Sequence, residues 1–293
     1  MEASSGQERL PGIVFRRLSR HEEFLAVEEI QRDAWGLGAV SPVPATLQRA
    51  FQDNGGLLLG AFEHGTLAGY TMGFLGREGD ATFHFSHQTA VRRSEQNRHL
   101  GTELKLYQRE EVLAQGLNEI RWTFDPLQSK NAGLNVRRLG GRPTRYLPNY
   151  YGAMGDAINV GLETDRLLLV WSIASPAVKE RIVNGPPTVE TQLAHWRETF
   201  PLCQTALRPS GPRVAVSARA PEGPNLNIEI PFDLARVRAM DPGATGRWRA
   251  VTREAFLAAF QRGYEVEEFV SLSVEGERRS FYLLGSGGGP GAP

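Results

Sequence analysis

The stretch of sequence that decides the fold is Ala90-Val91-Arg92-Arg93-Ser94-Glu95-Gln96-Asn97-Arg98-His99-Leu100-Gly101-Thr102. An apolar strand, predicted over 82–91, runs into a polar loop and then directly into a helix predicted over 101–115. The N-terminus of a helix presents unpaired backbone N–H groups and the positive end of the helix dipole. Such a corner can hold a pyrophosphate, and Gly101 lets phosphate oxygens approach the backbone closely. Nearby positive charge comes from Arg92, Arg93 and Arg98.

This stretch resembles the acyl-CoA-binding motif of the GNAT superfamily, Gln/Arg-x-x-Gly-x-Gly/Ala. It matches the motif at Gln96 and Gly101 and departs from it at His99, where the family usually has glycine. Downstream, Asn131-Ala132 and then Arg138-Leu139-Gly140-Gly141 resemble the family's asparagine-containing helix that ends in Leu-Gly-Phe. An ordinary strand-loop-helix corner is the alternative interpretation of the motif by itself.

The wider sequence, over about 13–172, resembles a subgroup of predicted acetyltransferases within GNAT. The stretches that carry this resemblance are Phe85-Ser86-His87, Lys105 to Glu110, Trp122 to Leu127, Asn149 to Gly152 and Asp165-Arg166. Some proteins of this kind are labelled o-succinylbenzoate synthase, which is a (β/α)8 barrel with paired lysines and a carboxylate-bound metal. This chain has no Lys-x-Lys and no run of βα units, so we reject that chemistry.

The resemblance implies that acetyl-CoA, or another acyl-CoA, binds at the corner. It implies that pantetheine pairs with the exposed backbone of the preceding strand, near Thr89 to Val91, and that Asn131 lies near the cofactor. The residues expected to bind the cofactor are Thr89, Val91, Arg93, Gln96, Arg98, His99, Leu100, Gly101, Thr102 and Asn131.

The hydrophobic pattern predicts an α+β fold with a mostly antiparallel sheet, and the resemblance implies a GNAT-type mixed sheet flanked by helices, plus a smaller C-terminal α+β region. The predicted order is strand, two helices, three strands, helix, strand, helix and two strands. The predicted ranges are 13–18, 22–35, 45–51, 57–62, 67–74, 82–91, 101–115, 118–124, 132–139 and 167–171, and the strand before the last is a tyrosine-rich extended segment that leads to Asp165. Beyond Ser175, prolines are frequent, and we predict a strand over 213–218, a helix over 253–262 and strands over 265–274 and 279–284.

These elements suggest four parts of the chain. Residues 1–12 and 285–293 are predicted to be disordered tails. Residues 13–172 are predicted to form the acyltransferase domain. Residues 173–284 are predicted to form a C-terminal α+β domain, which could be a degenerate half of the same fold and would then bind no cofactor.

Candidate catalytic groups follow from the direct-transfer chemistry that the resemblance implies. A deprotonated amine attacks the thioester, and histidine is the natural base near pH 7. His84 and His87 lie on the strand that leads to the motif and face opposite sides of a regular strand. We favour His87, with Ser86 and Gln88 as neighbours; the alternative is that both histidines are structural. The first helix offers Glu28, Glu29 and Asp33, which either line an acceptor pocket or belong to a solvated face.

The usual proton donor to the leaving thiolate is a tyrosine, and here that position is Val136. Three later tyrosines are candidates, with Tyr151 the one we select, and packing is the alternative role for all three: Tyr146, Tyr150 and Tyr151. Asn149 between them is a candidate for orienting the substrate.

Composition narrows the classes of partner. The 293 residues include 33 basic and 33 acidic side chains, so the zero net charge gives no indication of nucleic acid or an anionic membrane. Only three basic residues are lysines: Lys105, Lys130 and Lys179. The single cysteine, Cys203, cannot form an internal disulfide or a multi-cysteine metal site, and we expect no metal. With no membrane-length apolar run and no signal-peptide core, we expect a cytoplasmic protein, and a homodimer is an open expectation.

The leading hypothesis is therefore an acyl-CoA-dependent N-acetyltransferase that acylates the amine of a small molecule or peptide by direct attack. The alternative is a non-catalytic CoA-binding or regulatory protein on a GNAT-like scaffold, which the departures at His99 and Val136 motivate. A third hypothesis is a GNAT-like protein that binds no CoA.

Overall fold

The computed structural model describes residues 7–36, 42–152, 162–209 and 211–287. The contacts divide the chain into two compact units. Among the described residues, the first unit holds everything up to Trp122 together with Ser172–Ala174, and the second holds the remainder from Thr123 onward. We describe each unit by itself.

The first unit is a sheet with three helices packed on it. Its elements are β1 (Gln7–Leu10), β2 (Ile13–Arg17), α1 (His21–Trp35), α2 (Ala45–Asp53), β3 (Leu57–Glu63), β4 (Thr66–Glu78), β5 (Ala81–Val91), α3 (Leu100–Ala114) and β6 (Ile120–Phe124), whose last two residues belong to the second unit. Strands β1 to β5 pair antiparallel in sequence order, and β5 pairs parallel with β6. The predicted α+β class and the mostly antiparallel sheet are confirmed.

The helices cover the two faces of this sheet because successive strand residues alternate in direction. Apolar side chains of α1 and α2 pack on the face that carries Tyr70 and Met72. On the same face, Phe74 stacks between Phe51 of α2 and Phe85 of β5. Helix α3 covers the other face, where Gln108 contacts His84 of β5.

Strand β5 contains a bulge at His87. The register passes from Met72 opposite Gln88 to Gly73 opposite Ser86, so His87 has no partner residue on β4. A bulge of this kind redirects the side chains that follow it. His84 and Ser86 face α3, whereas His87 lies on the other face near the Phe74 ring.

The predicted N-terminal tail over 1–12 is wrong for the residues of β1. Residues 7–10 pair with β2, with Gln7 opposite Phe15. The Arg9 guanidinium donates to Glu103 at 3.1 Å and to Glu110 at 2.8 Å on α3. Strand pairing and these two charge-assisted hydrogen bonds hold the segment.

The second unit combines a short helix, a strand pair and the C-terminal elements. Its elements are α4 (Ser129–Ala132), which continues as a π-helix (Gly133–Arg138), β7 (Arg142–Leu147), β8 (Arg166–Trp171), α5 (Pro176–Asn184), α6 (Val189–Arg197), β9 (Phe200–Pro201), β10 (Cys203–Leu207), β11 (Arg213–Ala218), β12 (Asn225–Ile230), α7 (Leu234–Met240), α8 (Pro242–Gln261), β13 (Tyr264–Val274) and β14 (Glu277–Ser286). Strands β7 and β8 pair antiparallel, as do β10 and β11, and a four-stranded sheet has the order β13-β14-β12-β9.

A buried ion pair joins distant parts of the second unit. The Arg249 guanidinium of α8 donates to both carboxylate oxygens of Asp125, at 2.8 and 2.9 Å, and both side chains are almost fully buried. Nearby, the Tyr282 hydroxyl donates to the Pro126 carbonyl at 2.9 Å. The segment that follows β6 is therefore fixed to α8 and β14 rather than standing alone.

Predictions for the C-terminal region were incomplete for both strands and helices. Strands β11, β13 and β14 are confirmed, whereas β9 and β10 were not predicted. The helix predicted over 253–262 begins earlier, at Pro242, because proline suits the first turn and Asp241 caps it. The helix predicted over 132–139 is mainly a π-helix, and α5 to α7 were not predicted.

Gly73 provides a test of the packing between β4 and β5. A Cβ added there would lie 2.2 Å from the His84 Nε2 atom and 2.6 Å from the Phe85 carbonyl oxygen. We expect Gly73→Ala to lower the free energy of unfolding by about 1–3 kcal/mol, measured by urea denaturation, because the core must move to admit the methyl group. Gly101→Ala is the control, since a Cβ there meets no atom within 4 Å. Equal stability of the two variants would contradict the packing described.

Candidate functional site

The corner between β5 and α3 has an unusual backbone. A 3-10 turn spans Arg93–Glu95, and then Asn97 and His99 both adopt left-handed conformations, with φ of 66° and 61°. His99 is the N-cap residue of α3. Asn and His are among the non-glycine residues that tolerate this region, and such turns point successive N–H groups into a concave anion site. His99 therefore takes the backbone conformation that favours the family's glycine.

At the corner between β5 and α3, the groups available to a ligand are mainly those of the backbone. Leu100 is 1% exposed and its side chain belongs to the core, so its side chain is not available to a ligand. The Thr102 N–H donates to the His99 carbonyl at 3.0 Å. A Cβ at Gly101 would meet nothing within 4 Å, which shows open space over the first turn of α3. Gln96 lies exposed in the loop before it.

Carboxylates bind the arginines of the loop. The Arg98 guanidinium donates to both oxygens of Glu63, at 2.9 and 2.7 Å, and these bonds raise the pKa of Arg98. Arg92 donates to the Leu67 carbonyl at 2.8 Å and to Glu29 at 3.2 Å. These contacts shape the loop. They also give Glu29 of α1 a partner, so it is more than part of a solvated helix face.

Arg93 is held less tightly than the other two arginines. Its backbone N–H donates to Asp33 at 2.8 Å, but its guanidinium Nε lies 3.8 Å from that carboxylate and its side chain is 65% exposed. Among the arginines of the loop, Arg93 is thus the one whose charge is most available to an incoming anion. Glu28, the third acidic candidate of α1, accepts from the Ala45 N–H at the start of α2.

The strands β5 and β6 separate after a short parallel pairing. His84 is opposite Ile120, and Phe85 is opposite Arg121. From Ser86 onward, the described pairing of β5 is with β4, where Thr89 lies opposite Thr71 and Val91 opposite Gly69. The other edge of β5 is therefore available for an extended ligand to pair with along 86–91.

Beneath this separation lies a buried polar cluster. The Lys105 ammonium on α3 donates to Ser86 Oγ at 2.7 Å and to Gln108 Oε1 at 3.2 Å, and it lies 4.1 Å from the centre of the Trp122 ring. The Ser86 hydroxyl donates to Gln108 Oε1 at 3.0 Å, and Gln108 Nε2 contacts His84 Nε2 at 3.1 Å. We refer to His84, Ser86, Lys105, Gln108 and Trp122 as the lysine cluster.

His84 is the less suitable of the two candidate bases. It is fully buried, and burial, with the nearby Lys105 charge, lowers its pKa to about 3. Gln108 occupies its Nε2, and its Nδ1 has no partner within the described chain. His84 therefore stays neutral and enclosed in the folded protein.

His87 has the properties of an accessible base. It lies at the bulge, half-buried, with its ring 6.2 Å from the Phe74 ring. Burial lowers the pKa of His87, so its neutral form predominates at pH 7 and can accept a proton.

The second unit contains the other predicted residues. Tyr151 is 42% exposed, and its hydroxyl lies 3.1 Å from Thr123 Oγ1. Tyr146 is buried and donates to Asp165 at 2.6 Å, and burial raises its pKa strongly. Asn131 is exposed on α4. Val136 is buried in the π-helix and supplies no polar group.

Comparison with known proteins shows that part of the chain matches a known family. Residues 24–139 match the model of the acetyltransferase (GNAT) family. These residues form a GNAT acetyltransferase domain. The match runs from α1 to the end of the π-helix, so it includes the corner and the lysine cluster. No curated protein matches the chain.

Several solved structures are similar to part of the chain at low identity. A GNAT-family putative acetyltransferase from Desulfovibrio desulfuricans is 21% identical with a TM-score of 0.42, covering 55% of this chain and 99% of its own. The ribosomal-protein-S18-alanine N-acetyltransferase from Escherichia coli is 17% identical with a TM-score of 0.45, covering 56% and 95%. A putative acetyltransferase from Salmonella typhimurium, solved with acetyl-CoA, is 17% identical with a TM-score of 0.44, covering 56% and 95%.

The GNAT domain implies acyl-CoA as the acyl donor, and the residues present fit it. The left-handed backbone at Asn97 and His99 and the open space at Gly101 suit a pyrophosphate. The free edge of β5 suits an extended amide-containing chain. When bound, acyl-CoA supplies an activated carbonyl carbon and a thiolate leaving group. None of the described helices is long and apolar enough to cross a membrane, and no group of three or more metal-ligating side chains occurs among the described residues.

Sequence reasoning missed most of the lysine cluster. Lys105 and Gln108 are three residues apart on α3, on the same face as the buried Leu104 and Val112. A lysine on the apolar face of a helix, in a chain with only three lysines among 33 basic residues, was the available signal. The pairing of Arg98 with Glu63 had no such signal, because 35 residues separate the two side chains.

Titration of His84 gives a test of this geometry. Its pKa is about 3 in the folded protein and 6.5 in an ordinary setting, so below pH 6.5 the unfolded chain takes up a proton that the folded chain does not. We expect the free energy of unfolding to fall by up to about 1.4 kcal/mol per pH unit from pH 6.5 to 5 through this residue. His84→Gln should reduce that slope in urea denaturation, whereas the exposed His21→Gln should not. Equal slopes in all three proteins would contradict the burial of His84.

Proposed function

We propose that this protein transfers an acetyl group from acetyl-CoA to an amine of a small molecule or peptide by direct attack. The observation that carries the proposal is the corner itself, where a left-handed turn opens onto the start of α3. It adjoins a strand edge that, among the described residues, has no pairing partner from Ser86 onward. Arg93, the least tightly paired arginine of the loop, supplies charge for the phosphates.

His87 is the base in this proposal. It is half-buried at the bulge of β5, beside the free strand edge, and its lowered pKa keeps it neutral at pH 7. A neutral imidazole accepts the proton that the acceptor ammonium loses, so the nitrogen lone pair can attack the thioester carbon. The new C–N bond forms as the C–S bond breaks, the nitrogen loses its second proton to solvent, and the sulfur gains a proton.

The tyrosines of the second unit fit the role of proton donor unequally. Tyr146 is committed to Asp165, and its raised pKa opposes proton release. Tyr151 is exposed, and its hydroxyl contacts Thr123 Oγ1. Tyr151 thus remains the tyrosine candidate, with Asn131 proposed near the cofactor.

The proposal assigns the acyltransferase domain to 13–172 and a C-terminal α+β domain to 173–284. Packing divides the chain differently, within β6, because Asp125 and its neighbours are bound to α8 and β14. Residues such as Asp125, which belong to the proposed acyltransferase domain, therefore pack against elements of the C-terminal segment. A cytoplasmic location and a homodimer remain part of the proposal.

Binding of acetyl-CoA by isothermal calorimetry tests the corner. We expect micromolar binding by the wild type and none by Gly101→Glu, because the added carboxylate fills the open space and repels phosphate. Gly246→Glu, which introduces the same charge at an open helical glycine of α8, is the control and should bind normally. If neither the wild type nor the control binds, the acyltransferase function is wrong.

Turnover of an amine panel tests His87. We expect His87→Ala to lower kcat by about 10²-fold or more with acetyl-CoA affinity retained, since a positioned base contributes factors of that order. The exposed His64→Ala serves as the matched control. Full activity in His87→Ala would exclude it as the base. Binding of acetyl-CoA without turnover of any amine would favour the non-catalytic alternative.

A further inference from the structure

We infer that the lysine cluster is the proton source for the thiolate released in the reaction. The Ser86 hydroxyl donates a proton to the sulfur, and Lys105 donates a proton to the Ser86 oxygen in turn. This role rests on the proposed function. It assigns Ser86 as catalytic and Lys105 as a positioning residue that acts through Ser86.

The position of the cluster carries this inference. The parallel pairing of β5 and β6 ends at Phe85 and Arg121. The next residues on the two strands are Ser86 and Trp122, and the Lys105 ammonium contacts both, at 2.7 Å from Ser86 Oγ and 4.1 Å from the Trp122 ring centre. Lys105 therefore lies at the apex of the gap that opens between the strands. This gap begins one residue before His87, the proposed base.

The charge around Lys105 is also unusual. Its side chain is 4% exposed, and within the described chain no carboxylate contacts its Nζ. The groups that face it are the neutral Ser86 and Gln108, the Trp122 ring and the one titratable neighbour, His84, which burial keeps neutral. A buried ammonium without a counter-charge is poorly stabilised. Burial accordingly lowers the pKa of Lys105 to about 7.

Nearby cations and carboxylates are engaged elsewhere. Arg121 of β6 is bonded to Glu119 and Glu78. Arg109 of α3 donates to the Ile173 carbonyl at 2.9 Å. Because Arg121 and Arg109 are bound elsewhere, the Lys105–Ser86 hydrogen bond is the charged contact at the point where β5 and β6 separate. An amine that titrates near neutral pH can both give and regain a proton during turnover.

The proton transfer balances without a further reactant. As the C–S bond breaks, the Ser86 O–H proton moves to the sulfur, and an Nζ proton of Lys105 moves to Ser86 Oγ. Lys105 is left as a neutral amine and regains a proton from solvent. In this inference the cluster takes the role for which Tyr151 is the remaining tyrosine candidate, because Val136 supplies no hydroxyl and Tyr146 is committed to Asp165.

Lysine NMR tests the inference without relying on activity. The chain has only three lysines, so protein labelled with ¹³C-lysine gives three side-chain titrations, and Lys105→Met assigns one. We expect Lys105 to titrate near 7 and this titration to move when coenzyme A is added. A Lys105 titration above 9, or one that coenzyme A leaves unchanged, would overturn the role.

The pH dependence of kcat provides the second measurement. We expect Lys105→Met and Ser86→Ala to lower kcat by about 10²-fold, to abolish the limb with an apparent pKa near 7, and to leave acetyl-CoA binding within about twofold. Lys105→Arg should not restore that limb, because arginine does not lose its proton in this range. Lys130→Met is the matched control.

The outcomes separate the two proposals. A wild-type pH profile in Lys105→Met, with normal turnover, would overturn the role of the cluster and leave the acetyltransferase function intact. Failure of the wild type to bind acetyl-CoA would overturn both. Retained acetyl-CoA binding in Lys105→Met shows that this variant folds, so that its loss of turnover supports the role.

Discussion

The two-residue parallel pairing between β5 and β6 is the constraint on which the first unit depends. Because the described pairing with β6 includes His84 and Phe85 and ends before Ser86, one sheet provides both a closed core and an open strand edge. His87 lies at the bulge, on the face opposite His84. Gly73 allows the arrangement, since any Cβ there would overlap His84.

In the loop before α3, different groups shape the backbone and bind the anion. Arg92 and Arg98 resemble phosphate ligands, yet carboxylates of α1 and β3 bind them, and they set the shape of the loop. Anion binding is then left chiefly to main-chain N–H groups, whose direction is fixed by left-handed Asn97 and His99. Exposed arginines alone would cost more side-chain entropy to order around a ligand.

Two polar contacts in the protein interior differ in what they can do. Asp125 and Arg249 form a bidentate pair in which each charge satisfies the other, and the pair joins distant parts of the second unit. Among the described residues Lys105 has only neutral partners, so its charge is poorly stabilised. A buried charge with a counter-charge can hold a structure together. A buried charge without one indicates a functional group.

The sequence by itself determined the order of the elements, the α+β class and the corner at Gly101, because hydrophobic period and turn residues are local properties. It also determined that His84 and His87 face opposite ways, since strand residues alternate. Only the tertiary structure decided that His84 is enclosed and that Lys105 meets Ser86 and Trp122. These contacts join residues 17 to 24 positions apart, and they depend on strand register and helix placement, which local sequence does not encode.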